Sequence, residues 1–337
     1  MTTDPRSDSG RDPALSDSFR MSDESGESIM RVSPALGCNV YSWTRDGTEL
    51  LFTPPGFLQQ PDVADGTAHL GGGNPVLFPA VGRTWDLEHS PPRPEVYRIA
   101  EHSGTFRMPV HGLAGLMRWE RAANTPSTDS AALGEYRGRI PAAIRAEHYP
   151  FDVEVVLRYE LRRNGVHLTA GMTNNSNAHA PFAFGLHPYF RVSDKEQVEV
   201  VLPCTSRVHL DDELLIPTGE RDPLPEPVLR FDDGKTYDMA FGDVNGTSAL
   251  IRNVGNGLDI RIDVDPAVSM FVVYSGSRTP FVCVEPWTRG LGAFATLREN
   301  ATPSNPSIGF LSPGETRQMH LRYTVLSTSQ RNGGNKP

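Results

Sequence analysis

Two runs of alternating apolar and polar residues meet at an Asn-Gly dipeptide. Val153, Val155, Leu157 and Tyr159 share one face of the first run, Val166, Leu168, Ala170 and Met172 share one face of the second, and Asn164-Gly165 lies between them. Side chains alternate across a strand with a period of two, and Asn-Gly readily takes the positive φ that tight hairpin turns use. The segment therefore predicts an antiparallel hairpin with one buried face. The device recurs at Asn256-Gly257, after which Leu258, Ile260, Ile262 and Val264 alternate with Asp259, Arg261 and Asp263. Further strands are expected over 197–202, 270–274, 281–284 and 318–326, the last fed by a turn over 311–316. No helical period longer than about two turns stands out. The expected fold class is all-β: a large, mostly antiparallel assembly of two packed sheets with a concave face for a ligand.

Composition agrees with many turns: the 337 residues include 31 glycines and 29 prolines. The length suits one large β domain or two ordinary ones. A net charge of −9 argues against nucleic acid or an anionic membrane as a general partner. No apolar run reaches the roughly 18 residues that a membrane-spanning helix needs. Cys38, Cys204 and Cys283 show no metal-type spacing, and an odd, sparse count fits a reducing compartment, so the expected location is cytoplasmic. Residues 1–30 are polar and lack the apolar stretch of a secretory signal, and read as a disordered tail whose removal leaves the fold intact. Residues 327–337 read alike, which puts the folded domain at 31–326. Segments 119–139 and 211–233, rich in small, polar and Pro residues, read as long loops.

Several residues could carry chemistry. Gly71-Gly72-Gly73 suggests a phosphate loop, but no Gly-Lys-Ser/Thr follows, so a tight turn before a buried strand fits better. Arg83 ends the following apolar run just after a Gly, where a long side chain can reach a site at a strand end; a surface arginine is the bland alternative. His111 sits between Val110 and Gly112, and a lone histidine is more often structural than catalytic. His187 lies inside the aromatic run 182–190, where burial lowers an imidazole pKa and a nearby carboxylate raises it. Glu285 ends a strongly apolar strand, where an unpaired charge is costly. Pro286 is expected to stop that strand, and Trp287 offers an aromatic surface of the kind sugars favour. Asp238 is a weaker acidic candidate and could equally be a loop cap.

Taken together, the segments Gly73–Arg83, His111-Gly112, Gly185–Phe190, Tyr237–Phe241, Val284–Thr288 and Leu311–Thr316 resemble, in order, those of the aldose 1-epimerases of the galactose mutarotase-like superfamily. The resemblance spans most of residues 70–316 and implies a β-supersandwich. It implies His187 as catalytic acid, Glu285 as catalytic base, and Arg83, His111 and Asp238 as sugar-binding residues, with Trp287 beside them. It implies interconversion of the anomers of an aldohexose, a small-molecule sugar as the partner, and no cofactor or metal. The alternatives are a hexose-6-phosphate 1-epimerase, a non-catalytic carbohydrate-binding protein of the same fold, and a glycosidase with a carboxylate pair. Only one carboxylate has a strong context, which counts against the last. Phosphate-using relatives often carry an Arg where this chain has Gly115, with Arg118 three residues on. Convergence of Arg83 and Arg118 beside the site would favour a phosphorylated substrate. The oligomeric state is left open.

Overall fold

The computed structural model describes residues 18–59, 67–99, 104–122, 132–255, 257–296 and 308–327. Strands dominate, and every strand pair is antiparallel. The only α-helix among the described residues is Ala142–His148, and none is long and apolar enough to cross a membrane. A nine-stranded sheet runs, edge to edge, through Arg118–Arg121, Ala132–Arg139, Val153–Arg162, Gly165–Asn174, Thr316–Ser327, Leu258–Val264, Ser248–Gly255, Glu199–Val201 and Val228–Arg230. An eight-stranded sheet runs through Pro217–Pro223, Cys204–Leu210, Tyr237–Val244, Met270–Ser275, Phe281–Trp287, Gly185–Leu186 and Val76–Leu77; Tyr189–Arg191 also pairs with Phe281–Trp287. One apolar core joins the two sheets, with Val153, Val155 and Leu157 of the first sharing it with Phe271, Val273, Val282 and Val284 of the second. This is the all-β architecture that the alternation predicts.

The second sheet positions the site because its strand Phe281–Trp287 is buried on both faces. All seven residues of Phe281–Trp287 are buried. Val282 and Val284 join the core between the sheets, while Phe281, Cys283 and Trp287 pack on the opposite face. Glu285 shares that opposite face by the two-residue period. The strand does not stop at Pro286, as expected, but continues to Trp287. Its partners on that side are interrupted: Tyr189 pairs with Cys283 and Gly185 with Trp287, so Pro286 faces a break where no ladder needs its missing N–H.

Both expected hairpins form. The first turns at Arg163-Asn164, one residue earlier than Asn-Gly, because Arg162 pairs with Gly165. Gly165 answers to a close approach rather than to the turn: a Cβ there would lie 2.1 Å from the Tyr323 carbonyl oxygen. The second turns between Gly255 and Leu258, with Gly257 at φ +69°; Asn256 lies outside the described residues.

Three expectations need correction. Residues 18–30 are not a tail. Phe19–Ser22 and Ser28–Ser33 pair with each other, and Asn39–Arg45 and Thr48–Glu49 complete a four-stranded sheet. Met21 and Met30 are 3% and 1% exposed and belong to the main core. Their alternation is short and broken by the turn at 23–27, which hid it. Residues 1–17 and 328–337 lie outside the described residues, and Ser327 still belongs to a strand. The supposed loop over 211–233 holds the strands Pro217–Pro223 and Val228–Arg230, both at sheet edges; the first has exposed residues on both faces and so shows no apolar alternation. The supposed loop over 119–139 holds Arg118–Arg121 and Ala132–Arg139; inward-facing Gly134, Tyr136 and Gly138 blur the apolar pattern of the latter.

A chain starting at Ser18 should therefore differ from one starting at Arg31. Losing two buried methionines and their strands removes roughly 3–6 kcal/mol of apolar burial and lowers the midpoint by on the order of 10 °C. Thermal unfolding followed by circular dichroism checks this; equal midpoints would mean that the first two strands do not hold the fold.

Candidate active site

The registers Gly185↔Trp287 and Tyr189↔Cys283 put His187 opposite Glu285 across the break between the two short strands. The His187 N–H turns away from this gap and donates to the Pro75 carbonyl at 3.0 Å. The side chains meet on the far face of the sheet, with His187 Nε2 3.4 Å from Glu285 Oε1. Both are buried, at 7% and 1% exposure. The Tyr189 ring stacks on the imidazole at 4.6 Å and 3°, and the Tyr189 hydroxyl donates to the Leu70 carbonyl. The tyrosine is thereby anchored and holds the imidazole plane.

Around the pair is a pocket of about 260 Å³. Arg83, His111, His187, Asp238, Glu285 and Trp287 all line it, so the fold brings together all six residues singled out from the sequence. Arg83 and Asp238 are exposed at the rim, whereas Trp287 is 3% exposed. Leu210, Leu215, Val272 and Leu291 form an apolar wall. Arg118 does not line the pocket; it pairs with Glu120, and its side chain is 80% exposed.

His111 is held by a reciprocal clasp. Its backbone N–H donates to the Gly82 carbonyl at 2.9 Å, and the Gly82 N–H donates to His111 Nδ1 at 3.1 Å. With Nδ1 accepting, a neutral ring carries its proton on Nε2 and offers a donor there. The clasp needs left-handed backbone at His111 (φ +66°), which costs a non-glycine residue of order 1–3 kcal/mol. Gly112 follows at φ +90°, where a Cβ would lie 2.4 Å from the Phe78 carbonyl oxygen.

Burial governs the charges. It pushes the Glu285 carboxyl well above the usual carboxylate range; the negative Asp238 adds to this, and the Trp287 N–H opposes it without forming a hydrogen bond. Burial pushes His187 well below the usual imidazole value, helped by His111 and His69. Of the two opposing effects that the sequence raised, burial and a nearby carboxylate, desolvation outweighs the attraction here. Together the directions favour a pair that holds one proton, resting on the carboxyl. His111 is pushed down to about 3 by burial, then by His69 and Arg83, and so is neutral near pH 7.

Three buried polar atoms converge here with no hydrogen-bond partner among the described residues: His187 Nδ1, Glu285 Oε2 and Trp287 Nε1. Each unmade bond costs roughly 1–3 kcal/mol. A ligand rich in hydroxyl groups could relieve such a debt. Sequence reasoning passed over Tyr189 and Tyr274, which also line the pocket. Tyr189 was within reach, since it follows His187 by two residues and so shares its face.

A family model described as aldose 1-epimerase matches residues 24–324. Protein LacX (chromosomal) of Lactococcus lactis subsp. lactis is 22% identical over 305 residues, covering 84% of this chain and 91% of the relative. Among solved structures, the Slr1438 protein of Synechocystis sp. PCC 6803 superposes with a TM-score of 0.75 at 22% identity, over 92% of this chain and 96% of that one. A galactose mutarotase-like protein of Clostridium acetobutylicum gives 0.72 at 19% identity, over 92% and 95%. At such identities the structural likeness speaks for a shared fold.

The lowered His111 pKa has a direct readout. Its neutral form is favoured by folding, so its contribution to stability is full above the unfolded value of about 6.5 and is lost as pH falls from there toward 3. The His111 ring signals in NMR should stay constant from about pH 8 to 5. Titration near 6.5 would show that the ring is solvated and the clasp open.

Proposed function

The chain belongs to the aldose 1-epimerase family, and on that premise we propose that it interconverts the α and β anomers of an unphosphorylated aldohexose by acid–base ring opening and closure. The observation that carries this reading is the buried His187–Glu285 pair, 3.4 Å apart, in a pocket with Arg83 and Asp238 at its rim.

Mutarotation needs a base for the C1 hydroxyl proton and an acid for the ring oxygen O5. Glu285 as carboxylate takes the first proton, and His187 as imidazolium delivers the second while the C1–O5 bond breaks. Rotation about C1–C2 then presents the other face of the aldehyde, and closure runs the same transfers backward. The pair carries one proton throughout. Opening moves that proton, through the substrate, from His187 to Glu285. A raised carboxyl pKa and a lowered imidazole pKa favour this transfer, but they disfavour to the same extent the starting arrangement with the proton on His187, so that the reactive arrangement is the minor one and the proton ends where it rests, on the carboxyl. Arg83, the His111 Nε2–H donor and Asp238 hold the hydroxyls and fix the ring. Trp287 supplies a flat apolar face beside the carboxyl.

A phosphorylated substrate fits less well. Among the described residues, Arg83 is the one Lys or Arg lining the pocket, and Arg118 does not join it. The opposite wall is apolar, which suits a neutral sugar.

Polarimetry of freshly dissolved α-D-glucose, α-D-galactose and their 6-phosphates, with and without protein, tests the reading. A free sugar should be accelerated and the 6-phosphates little. Glu285→Gln and His187→Asn should each lower kcat by roughly 10²–10⁴ with modest effect on KM. The double variant should be little worse than the poorer single one, since the two act as a unit. Arg83→Ala should raise KM more than it lowers kcat. Acceleration by Glu285→Gln at the native rate would remove the carboxylate from the chemistry and leave a sugar-binding protein as the better reading.

A further inference from the structure

The strand that carries Glu285 places a third reactive group on the same face, Cys283. It is fully buried among Tyr189, Phe281, Phe52 and Tyr274, directly behind the acid–base pair. One ligand atom each from His187, Cys283 and Glu285 lies within 4.8 Å of the others. Cysteine spacing along the chain showed no metal pattern; the fold builds this cluster from one strand and its neighbour.

We propose that His187, Cys283 and Glu285 form a binding site for a thiophilic divalent cation of the zinc type, and that its occupation inhibits the enzyme. The proposal rests on the acid–base reading of the pair above. Three observations carry it. The first is donor chemistry: imidazole nitrogen, thiolate sulfur and carboxylate oxygen are the zinc ligands of proteins, and three of them leave a fourth position open. The second is spacing. Two N or O donors on a tetrahedral zinc, with bonds of about 2.0–2.1 Å, lie roughly 3.3–3.4 Å apart. The His187 Nε2–Glu285 Oε1 separation is 3.4 Å. The third is that Glu285 Oε2 and His187 Nδ1, both buried, have no hydrogen-bond partner among the described residues.

Charge balance explains how so buried a site could accept a dication. Before binding, the pair holds one proton and the thiol another, and the cluster is neutral. Binding sends both protons to solvent and leaves a 2+ ion with one thiolate, one carboxylate and a neutral imidazole, which is again neutral. No uncompensated charge is buried. His187 and Glu285 line the pocket, which gives an ion its way in and a water or sugar hydroxyl access to the fourth position. Because two protons leave, apparent affinity should rise by up to about 100-fold per pH unit while both groups are protonated in the free protein. The ion also removes the proton that catalysis needs, so inhibition follows without blocking the whole pocket.

Cadmium chloride tests this, because a cadmium–thiolate bond absorbs in the ultraviolet whether or not the protein is active. Wild type should develop the band at one ion per chain, and the band should vanish with EDTA. Cys283→Ala should lose the band, keep its basal anomerase activity, and require at least tenfold more cadmium for inhibition. Cys38 and Cys204, which are also buried, provide the control: Cys204→Ala should leave the band unchanged. A band that survives Cys283→Ala, or none in wild type, would overturn the site. A cadmium band in a protein that does not accelerate anomer exchange would uphold the site and count against the proposed activity instead.

Discussion

A carboxyl and an imidazole face each other inside a β-sheet that water scarcely reaches. That arrangement constrains everything around it. Neither group can be charged alone at low cost, so the two share one proton and act together. An exposed pair of the same residues would each sit near its ordinary pKa, and the shared proton would rest on the imidazole. Burial moves its resting place to the carboxyl.

The sandwich makes burial possible on both faces of one sheet. The inner face of Phe281–Trp287 packs into the main core through Val282 and Val284, which fixes the strand. Its outer face carries Glu285 and Trp287, which line the pocket beside the Gly82–His111 clasp and the apolar wall, and Cys283, covered by Tyr189, Phe52 and Tyr274. The break between Gly185–Leu186 and Tyr189–Arg191 matters as much. It interrupts the ladder where His187 turns its backbone toward Pro75, and it lets Pro286 sit in a central strand. Backbone strain at His111 and the stacked, anchored Tyr189 ring are further parts of one device that holds two side chains in register.

Much of this was legible in the residues. Strong alternation marked the central strands, and polar or charged residues stranded in apolar runs marked the site. His187 and Glu285 drew notice because an unpartnered polar group there is expensive. Edge strands were illegible for the converse reason: Pro217–Pro223 buries neither face, so it has no period to read. The first two strands were masked by a five-residue turn and by the short length of their alternation. Tyr189 and Tyr274 were passed over because an aromatic residue in an apolar strand looks like core, and only the fold tells which face meets the pocket. Cys283 was set aside on chain spacing, which cannot see a neighbour across a sheet. Protonation was the subtlest matter. Sequence named burial and a nearby carboxylate as opposing influences on His187, and only the depth of burial in the fold decides the balance.

The claim that one shared proton does the work is tested most directly by the pH dependence of kcat/KM for anomer interconversion, corrected for the spontaneous rate. The account predicts a bell. Activity falls on the acid side when His187 takes a second proton, below the ordinary imidazole value of about 6.5 because that pKa is lowered. It falls on the alkaline side when Glu285 loses the last one, above the ordinary carboxylate value of about 4.3 because that pKa is raised. A profile with a single limb, or a bell that Glu285→Gln leaves unmoved, would contradict it.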